Sequence, residues 1–291
     1  MVDRRYLYAR AIAAEGDHET ASEVLEQACE LAPDWAPLWL ALATAYEKSG
    51  RAKEAAAALR RLAAIDAAGE FGAELHLARL GVGETPKTAS KFYIQGLFDQ
   101  YADRFDAHLV NQLAYRGPAL LTDALTRLGA GRFDQLIDLG CGTGLCGAAF
   151  RGSSEHLSGV DLSPGMIEVA RKKAIYDRLE TATMDDFLGL EPPLSANLIL
   201  AGDVFMYVGD LAPVFAAAAR TLAPDGFFAF TVQRALEGTY KIGPDLRFFH
   251  SDAYVKETLE AVGLRVCLME PVSARRDAGF DVPGLVVVAR A

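Results

Sequence analysis

Residues 133–147 read FDQLIDLGCGTGLCG and decide the fold of the longer part of the chain. The first seven residues end in a short apolar run, which is typical of a strand buried on both faces. Three glycines follow at alternate positions: Gly140, Gly142 and Gly144. Glycine allows a tight turn and lets a ligand approach the backbone closely. Because residues 145–150 then favour a helix, the stretch predicts a strand, a turn and a helix N-terminus, the combination that forms cofactor pockets.

An acidic residue stands two positions before the first glycine, and it separates two interpretations of the turn. Residues 138–144, DLGCGTG, resemble the first motif of class I methyltransferases that use S-adenosylmethionine (SAM). Residues 142–147, GTGLCG, also fit the G-x-G-x-x-G fingerprint of dinucleotide-binding proteins. The carboxylate of Asp138 would repel a pyrophosphate but suits the ammonium and sulfonium groups of SAM. The methyltransferase resemblance is therefore favoured.

Composition limits the classes of partner. The chain has 291 residues, which leaves room for two domains or one large one. With 51% hydrophobic and 23% charged residues, its composition is that of an ordinary globular protein. The formal charge of -10 argues against the broad basic surface that nucleic-acid binding needs. The four scattered cysteines predict neither a disulfide framework nor a zinc site, and no metal is expected. We expect a cytoplasmic protein, because the chain shows neither a signal sequence nor an apolar run of about 18 residues.

A repeat occupies the first 80 residues. Four positions recur 34 residues later: Ala9, Gly16, Ala21 and Leu25 return as Ala43, Gly50, Ala55 and Leu59. This pattern resembles two tetratricopeptide repeats (TPRs), and a further helix at about residues 70–80 is predicted to cap them. Since about three such repeats are normally needed for stability, we expect the array to pack on the other domain or on a second subunit. It serves either as a groove for a partner peptide or as a structural or dimerisation element.

The segment before the glycine turn also carries a pattern. Residues 98–109 fit FDxYAxxFDxHL, with aromatic residues at helical spacing. The pattern resembles the N-terminal helix that covers the cofactor site in many small-molecule methyltransferases, and a bacterial family that joins TPRs to a methyltransferase domain. That resemblance implies that the aromatic residues lie over the aminoacyl end of SAM and wall the acceptor pocket. The alternative is that they form only the core face of the helix.

A second acid, Asp161, ends the next predicted strand. A carboxylate at this position can accept hydrogen bonds from both hydroxyls of a ribose, a device that NAD-binding folds share. Residues 161–173, DLSPGMIEVARKK, resemble the methyltransferase sequence after strand two, in which Leu162 and Met166 would enclose an adenine. Ser163 is predicted to cap the following helix.

Two further strand ends carry candidate residues. Residues 179–188 are predicted to hold strand three and its exit loop. The resemblance implies an adenine contact there: either Met184 makes it through its backbone, with Thr183 at the position of the usual acid, or Asp185 makes it. Strand four lies within residues 196–208, and Asp203 follows it at the carboxyl edge, where open α/β sheets bind ligands. The resemblance implies that Asp203 steers or deprotonates the acceptor; the alternative is a solvated or helix-capping acid.

Residues 222–232 are predicted to form a turn followed by strand five. An insertion at 234–250 comes next, and we expect it to cover the acceptor. Arg247 could bind a carboxylate, because a guanidinium group matches its shape. His250 could act as a base, since the free pKa of histidine is about 6.5. Alternatively, His250 is a buried residue next to the cap of the following helix. Residues 265–270 and 284–290 are predicted to be the two closing strands, and Arg275 and Arg276 between them to be surface charges, although one could reach the acceptor site.

The fold class predicted from these patterns is α/β: a Rossmann-like, seven-stranded class I methyltransferase sheet with a small N-terminal all-α TPR-like domain. The expected boundaries are 1–80 for the repeats, 81–89 for a linker and 90–291 for the methyltransferase domain. Within that domain, residues 90–130 form the N-terminal lid helices.

The candidate site residues fall into three groups. The predicted catalytic residues are Asp203, His250 and Arg247. The predicted cofactor-binding residues are Asp138, Gly140, Cys141, Gly142, Gly144, Asp161, Leu162, Met166, Met184, Asp185, Gly202, Phe98 and Tyr101. The predicted substrate-binding residues are Phe105, His108, Tyr115, Arg116, Tyr207, Arg247 and His250.

These resemblances imply a SAM-dependent methyltransferase that transfers a methyl group to a small-molecule acceptor and releases S-adenosylhomocysteine. The acceptor is acidic if Arg247 binds a carboxylate. The methyl group of SAM is already activated, so the protein has mainly to position and desolvate the reactants. Three alternatives stay open: a protein methyltransferase whose repeats recruit the target, a non-catalytic SAM-binding scaffold, and an NAD-dependent oxidoreductase. Expected partners are the acceptor and a protein partner or second copy on the repeats, with neither nucleic acid nor membrane.

Overall fold

The computed structural model describes residues 2–99, 101–277 and 279–291, and leaves out the side chains of residues 103, 110 and 111. The chain forms two compact units. One comprises the residues up to 93 together with 244–246, and the other comprises 94–243 and 247–291. No helix in the described residues is long and apolar enough to cross a membrane.

The first unit is helical. Its helices are α1 (Val2–Ala14), α2 (His18–Leu31), α3 (Ala36–Lys48), α4 (Ala52–Ile65) and α5 (Ala73–Arg79). Gly16 and Gly50 leave the first helix of each pair with φ of +91° and +74°, a left-handed conformation that glycine adopts readily. The repeated alanines Ala9 and Ala43 are buried where the helices meet. The predicted capping helix is α5, which is shorter than expected.

Helix α6 (Lys91–Asp99) begins in the first unit and continues into the second. The other helices of the second unit are α7 (Ala102–Asn111), α8 (Gly117–Arg127), α9 (Leu145–Phe150), α10 (Pro164–Lys172), α11 (Met184–Leu190), α12 (Ala212–Thr221) and α13 (Asp252–Ala261). Its strands are β1 (Phe133–Leu139), β2 (Ser154–Asp161), β3 (Arg178–Thr181), β4 (Ala196–Ala201), β5 (Leu222–Ala235), β6 (Tyr240–Ile242), β7 (Phe248–Ser251), β8 (Arg265–Val272), β9 (Arg276–Asp277), β10 (Phe280–Asp281) and β11 (Gly284–Arg290).

Seven strands form a continuous sheet in the order β3-β2-β1-β4-β5-β11-β8. Strands β1 to β5 are parallel, and β11 runs antiparallel to both β5 and β8. The strand order reverses between β1 and β4, so the carboxyl ends of these strands flank a switch point, where open α/β sheets bind ligands. The predicted seven-stranded Rossmann-like sheet is confirmed, including its antiparallel closing pair.

Part of the insertion at 234–250 joins the main sheet. Strand β7 pairs parallel to the last residues of β5, and β6 pairs antiparallel to β7. That the insertion covers the acceptor stays a prediction, and its two strands extend the main sheet. The physical reason is that β5 is long, with 14 residues, and its exposed edge beyond the end of β4 offers hydrogen-bonding groups to another strand.

An aromatic cluster fills the core on one face of the sheet. Phe205, Phe215, Phe228 and Phe230 are fully buried, with ring centroids 4.8–6.1 Å apart. Most of these pairs meet edge to face, an arrangement that aromatic rings prefer. Phe205 lies four residues after the end of β4, so this packing also fixes the loop that leaves the carboxyl end of β4.

We expect Phe215→Ala to lower the free energy of unfolding by about 3–5 kcal/mol, because it opens a cavity among close-packed rings. Chemical denaturation measures the change. Leu190→Ala is the control, since Leu190 is 77% exposed and its truncation should cost no more than about 0.5 kcal/mol. Equal losses for the two variants would contradict the packing described.

Candidate functional site

The glycine turn after β1 lies at the switch point of the sheet. Gly140, Gly142 and Gly144 have φ of +60°, +54° and +93°. A Cβ atom on Gly140 would lie 2.3 Å from the side chain of Val204, so only glycine fits there. The predicted turn is thus present, and helix α9 begins directly after Gly144.

Asp138 is a buried carboxyl group beside this turn, with 1% of its surface exposed. The hydroxyl group of Tyr176 donates a hydrogen bond of 2.6 Å to its Oδ2. Its Oδ1 accepts no hydrogen bond from the described residues. Burial raises the pKa of Asp138 to about 7, while Tyr176 and the nearby N–H group of Gly147 offset part of the rise. The site therefore holds a buried acceptor oxygen that a cationic group would satisfy.

Asp161 ends β2 on the opposite side of the turn. Its Oδ2 accepts a hydrogen bond of 2.9 Å from the N–H of Gly142, and its Oδ1 accepts one of 2.8 Å from Ser163. Burial raises the pKa of Asp161, and backbone N–H groups oppose the rise. A carboxylate has about four lone-pair sites, so Asp161 can also accept a hydrogen bond from a ligand hydroxyl. Ser163 caps α10 as predicted, by accepting a hydrogen bond from the N–H of Met166.

The residues expected near an adenine are placed unequally. Leu162 is half-buried, whereas Met166 is buried, with 1% of its surface exposed. Thr183 caps α11 through the N–H of Asp186, so its side chain has a structural partner. Met184 is half-buried against the core, and Asp185 is exposed in the first turn of α11. The choice between Met184 and Asp185 as the adenine contact stays open.

The aromatic residues of α6 and α7 form one cluster with Tyr207. Ring centroids lie 5.9 Å apart for Phe98 and Phe105, and 5.5 Å apart for Phe98 and Tyr207. Tyr101 packs edge to face on both Phe105 and His108, and its hydroxyl group hydrogen-bonds to Nδ1 of His108. A Cβ atom on Gly142 would lie 3.9 Å from Phe105. The structure therefore brings these predicted aromatic residues next to the glycine turn and the β4 loop.

Side chains of α6 and α7 attach this cluster to the cofactor side of the sheet. Asp106 accepts a hydrogen bond from the hydroxyl of Thr143 and forms an ion pair of 2.7 Å with Lys173. Asp99 accepts hydrogen bonds of 2.5 Å from the hydroxyl of Ser163 and 3.2 Å from the N–H of Gly165. The sequence did not predict these attachments, because they join residues 37 to 67 positions apart.

Asp203 follows β4 with a strained backbone. Its φ of +59° is uncommon for a residue other than glycine, and its N–H donates a hydrogen bond of 2.9 Å to the hydroxyl of Thr231. Its Oδ2 lies 3.6 Å from Nε of Arg275, whose side chain is 3% exposed. The prediction that Arg275 is a surface charge is wrong: the loop after β8 turns it inward to pair with Asp203. Such strain is typical of functional positions.

Arg247 lies beside the same cluster. It contacts the buried hydroxyl of Tyr207: burial raises the pKa of Tyr207, and the charge and hydrogen bond of Arg247 oppose the rise. Arg247 also lies 4.0 Å from Asp277, and 25% of its side chain is exposed. It is therefore placed between the aromatic cluster and the surface, where it can meet an anionic group.

His250 does not face an accessible site. It is fully buried, and its Nε2 donates hydrogen bonds of 2.8 Å and 3.2 Å to the carbonyl oxygens of Val208 and Gly209. Burial lowers the pKa of His250 to about 4, so the ring stays neutral. The prediction of a substrate-binding base is wrong for this geometry, and the structural alternative fits, since Ser251 caps α13 next to it.

Of the adjacent residues Tyr115 and Arg116, only Tyr115 directs its side chain toward the end of β4. A Cβ atom on Gly202 would lie 3.2 Å from the hydroxyl of Tyr115 and 2.6 Å from Sγ of Cys146. The hydroxyl of Tyr115 thus reaches the end of β4, and burial raises its pKa well above 10. Arg116 is exposed, and its backbone N–H donates a hydrogen bond to the carbonyl of Ala274.

The described residues contain no group of three or more His, Cys, Asp or Glu side chains that could hold a metal.

Comparison with known families agrees with this geometry. Residues 137–228 match the family model of a methyltransferase domain, and residues 13–78 match that of a tetratricopeptide repeat. The chain thus combines N-terminal TPRs with a methyltransferase domain, as the sequence motifs predicted.

Individual proteins show the same likeness. Methyltransferase-like protein 27 of Homo sapiens is 37% identical over 110 residues, which are 37% of this chain and 42% of that protein. Aklanonic acid methyltransferase DauC of Streptomyces sp. strain C5 is 32% identical over 117 residues, 38% of this chain and 53% of that protein. This chain therefore spans about half the length of these relatives.

One solved structure shows the shared fold. Burkholderia thailandensis 1,6-didemethyltoxoflavin-N1-methyltransferase, solved with 1,6-didemethyltoxoflavin and S-adenosylhomocysteine bound, aligns with a TM-score of 0.53 and 21% identity. The alignment covers 72% of this chain and 92% of that chain.

The raised pKa of Asp138 makes the stability of the ligand-free protein depend on pH. The carboxyl group has its ordinary pKa of 3.8 when unfolded and a pKa of about 7 in the fold. Between these values the folded protein keeps a proton that the unfolded chain has lost, so the free energy of unfolding falls as pH rises. We expect Asp138→Asn to remove this decline, which amounts to at most about 1.4 kcal/mol per pH unit.

Denaturation of the wild type and of Asp138→Asn at about pH 4.5 and about pH 7 measures this difference. Asp134→Asn is the matched control, because Asp134 is exposed on the same strand. A stability difference between the wild type and Asp138→Asn that stays constant with pH would show that the carboxyl group titrates normally.

Proposed function

We propose that this chain, a methyltransferase-domain protein with N-terminal TPRs, transfers the methyl group of SAM to a small-molecule acceptor. The observation that carries the proposal is the buried Oδ1 of Asp138, beside a glycine turn at the switch point of the sheet: none of the described residues donates a hydrogen bond to it. A ligand with an ammonium group supplies the missing donor, whereas a pyrophosphate would bring a second negative charge. The residues around the turn thus fit SAM better than a dinucleotide.

The proposed cofactor contacts follow the two strand ends. The carboxylate of Asp138 would hold the ammonium group, and Asp161 would accept hydrogen bonds from the ribose hydroxyls with its remaining lone pairs. Gly140 and Gly142 would let the ligand lie against the backbone, and half-buried Leu162 would flank the adenine. When bound, SAM supplies an electrophilic methyl group on a sulfonium, so no nucleophilic residue is required.

On the acceptor side, the chain would position the reactants and remove water from them. The aromatic residues of α6 and α7 lie beside the glycine turn and would exclude water from it, and excluding water strengthens the electrostatic interactions inside. The buried Arg275 keeps Asp203 oriented at the end of β4, where its carboxylate can hold a polar hydrogen of the acceptor. Tyr207 forms the wall between Phe98 and Arg247.

The acceptor is proposed to be acidic. Arg247 is partly exposed beside Tyr207, and a guanidinium group binds a carboxylate with two parallel hydrogen bonds. The name of one relative, aklanonic acid methyltransferase, describes an acidic substrate of that protein. A small acidic molecule therefore matches the positive charge of Arg247.

The TPRs support a second proposal, that of a protein partner or self-association. Leu7 and Tyr8 on α1 are each 62% exposed, and Leu31 at the end of α2 is 53% exposed. Exposed apolar residues on a short repeat array are suited to contact another surface.

Incubation of the protein with labelled SAM and a cell extract tests whether such a partner is itself methylated. A methylated partner would give labelled protein. Label found only in small molecules favours the small-molecule acceptor.

We expect S-adenosylhomocysteine to stabilise the protein against heat and NAD to leave it unchanged. A ligand at 100 times its dissociation constant stabilises the folded state by about 2.7 kcal/mol. Thermal unfolding with each ligand checks this expectation, and adenosine alone is the control for the nucleoside part. Stabilisation by NAD without stabilisation by S-adenosylhomocysteine would refute the proposed cofactor.

The two acids at the strand ends are expected to have different functions. Asp161→Ala should weaken the binding of S-adenosylhomocysteine by about tenfold or more, because a hydrogen bond to a charged group contributes about 1.5–3 kcal/mol. Asp203→Ala should leave that affinity within about twofold and should lower turnover of an acceptor found by panel screening instead. Calorimetry and initial rates measure the two effects. Equal losses in both assays for both variants would contradict the division.

A further inference from the structure

Tyr176 lies in a slot that three glycines leave open. A Cβ atom on Gly144, Gly147 or Gly159 would lie 2.9, 2.2 or 2.7 Å from the Tyr176 side chain. These glycines belong to the turn, to α9 and to β2, so three different elements make room for one ring. Gly147 also explains the apparent G-x-G-x-x-G fingerprint: its missing side chain admits the tyrosine hydroxyl and has no need of a pyrophosphate.

The backbone on both sides of Tyr176 is held firmly. Ala174, just after α10, has a φ of +52°, which is uncommon for a residue other than glycine. Arg151 donates hydrogen bonds to the carbonyl of Ile175 and to the carboxylate of Asp177. The backbone N–H of Asp177 donates to the carbonyl of Leu157. Because the neighbouring residues are anchored, the direction of the tyrosine ring is fixed.

The hydroxyl group of Tyr176 ends at Asp138. Burial and the charge of Asp138 raise the pKa of Tyr176, so the hydroxyl keeps its proton and donates a hydrogen bond of 2.6 Å to Oδ2. Oδ2 is then occupied, whereas Oδ1 accepts no hydrogen bond from the described residues. The carboxylate is therefore held with one defined oxygen left for a ligand.

We propose that Tyr176 is a positioning residue for the methyl donor: its hydroxyl holds Oδ2 of Asp138 and so keeps Oδ1 turned toward the ammonium group of the bound cofactor. This inference rests on the proposed function. Tyr176 itself touches neither reacting atom, and it acts through Asp138.

The hydrogen bond from Tyr176 to Asp138 also affects how ligand binding depends on pH. The titratable groups that act on Asp138 are Asp161, whose charge raises its pKa, and Tyr176, whose hydrogen bond lowers it. Cys141, Cys146 and Tyr115 also lie close enough to feel its charge, and all three stay neutral because burial raises the pKa of each. Removing the Tyr176 hydroxyl should therefore move the ionisation of Asp138 to higher pH.

The test is calorimetric titration of S-adenosylhomocysteine into the whole 291-residue chain at about pH 5.5, 6.5 and 7.5. All three values lie below the α-amino pKa of about 7.7–8.0, so most of the ligand carries its ammonium group. The wild-type affinity should rise with pH as Asp138 ionises. For Tyr176→Phe the rise should move to higher pH, with an affinity at about pH 6.5 that is lower by about tenfold for each unit of pKa shift. Asp138→Asn should bind weakly and without this pH dependence.

Tyr46→Phe is the matched control. Tyr46 is a buried tyrosine in the TPRs whose hydroxyl also donates a hydrogen bond of 2.5 Å to a carboxylate, that of Glu26. This variant loses the same kind of hydrogen bond and should keep the wild-type pH profile. A role of Tyr176 in packing alone would lower the affinity or the melting temperature of Tyr176→Phe without moving the pH profile, and that result would overturn the inference.

A second measurement separates this inference from the proposed function. In the absence of ligand, Tyr176→Phe should extend the fall in unfolding free energy with rising pH beyond about pH 7, since Asp138 then keeps its proton longer. An unchanged pH dependence would refute the coupling of Tyr176 to Asp138. Failure of the wild type to bind S-adenosylhomocysteine at any pH would instead refute the proposed function, whatever the stability data show.

Discussion

The burial of the Asp138 carboxyl group is the constraint on which the site depends. Removing a carboxylate from water is unfavourable unless hydrogen bonds or an opposite charge compensate it. Among the described residues, Tyr176 donates a hydrogen bond to Oδ2, the nearby N–H of Gly147 lowers the cost further, and Oδ1 accepts no hydrogen bond. The ligand-free protein therefore carries an electrostatic cost, seen in the raised pKa of Asp138, that a cationic ligand can relieve. The surrounding glycines follow from the same requirement, because they let both the tyrosine and a ligand reach the carboxyl group.

An ion pair between Asp203 and Arg275 lies at the centre of the acceptor side. Asp203 and Arg275 are both largely buried at the carboxyl edge of the sheet, and the aromatic cluster of α6 and α7 lies beside them through Tyr207. Asp99 and Asp106 fasten those helices to the loops that would hold the donor. The residues proposed to exclude water are thus attached to the residues proposed to bind the donor. An acceptor pocket of this kind suits a reaction in which placement and desolvation contribute most of the catalysis.

The local patterns could be predicted from the sequence because each lies within one strand and its following turn. The glycine turn, the acids Asp138 and Asp161, and the cap at Ser163 all follow from residues a few positions apart. Arg275, Tyr176 and His250 could not be predicted in this way. Arg275 reaches Asp203 across 72 positions, 275 minus 203, and Tyr176 reaches Asp138 across 38. His250 has the chemistry of a base, but β7 joins the sheet and buries it against the backbone of Val208.

The binding of the methyl donor by Asp138 can be tested with a crystal structure of this chain and S-adenosylhomocysteine. We expect the ligand ammonium group to meet Oδ1 of Asp138, directly or through one water molecule, while Oδ2 keeps its hydrogen bond to Tyr176. We also expect both ribose hydroxyls at Asp161. A ligand bound away from the glycine turn, or an ammonium group with no contact to Asp138, would contradict the claim that this carboxyl group is buried in order to bind the methyl donor.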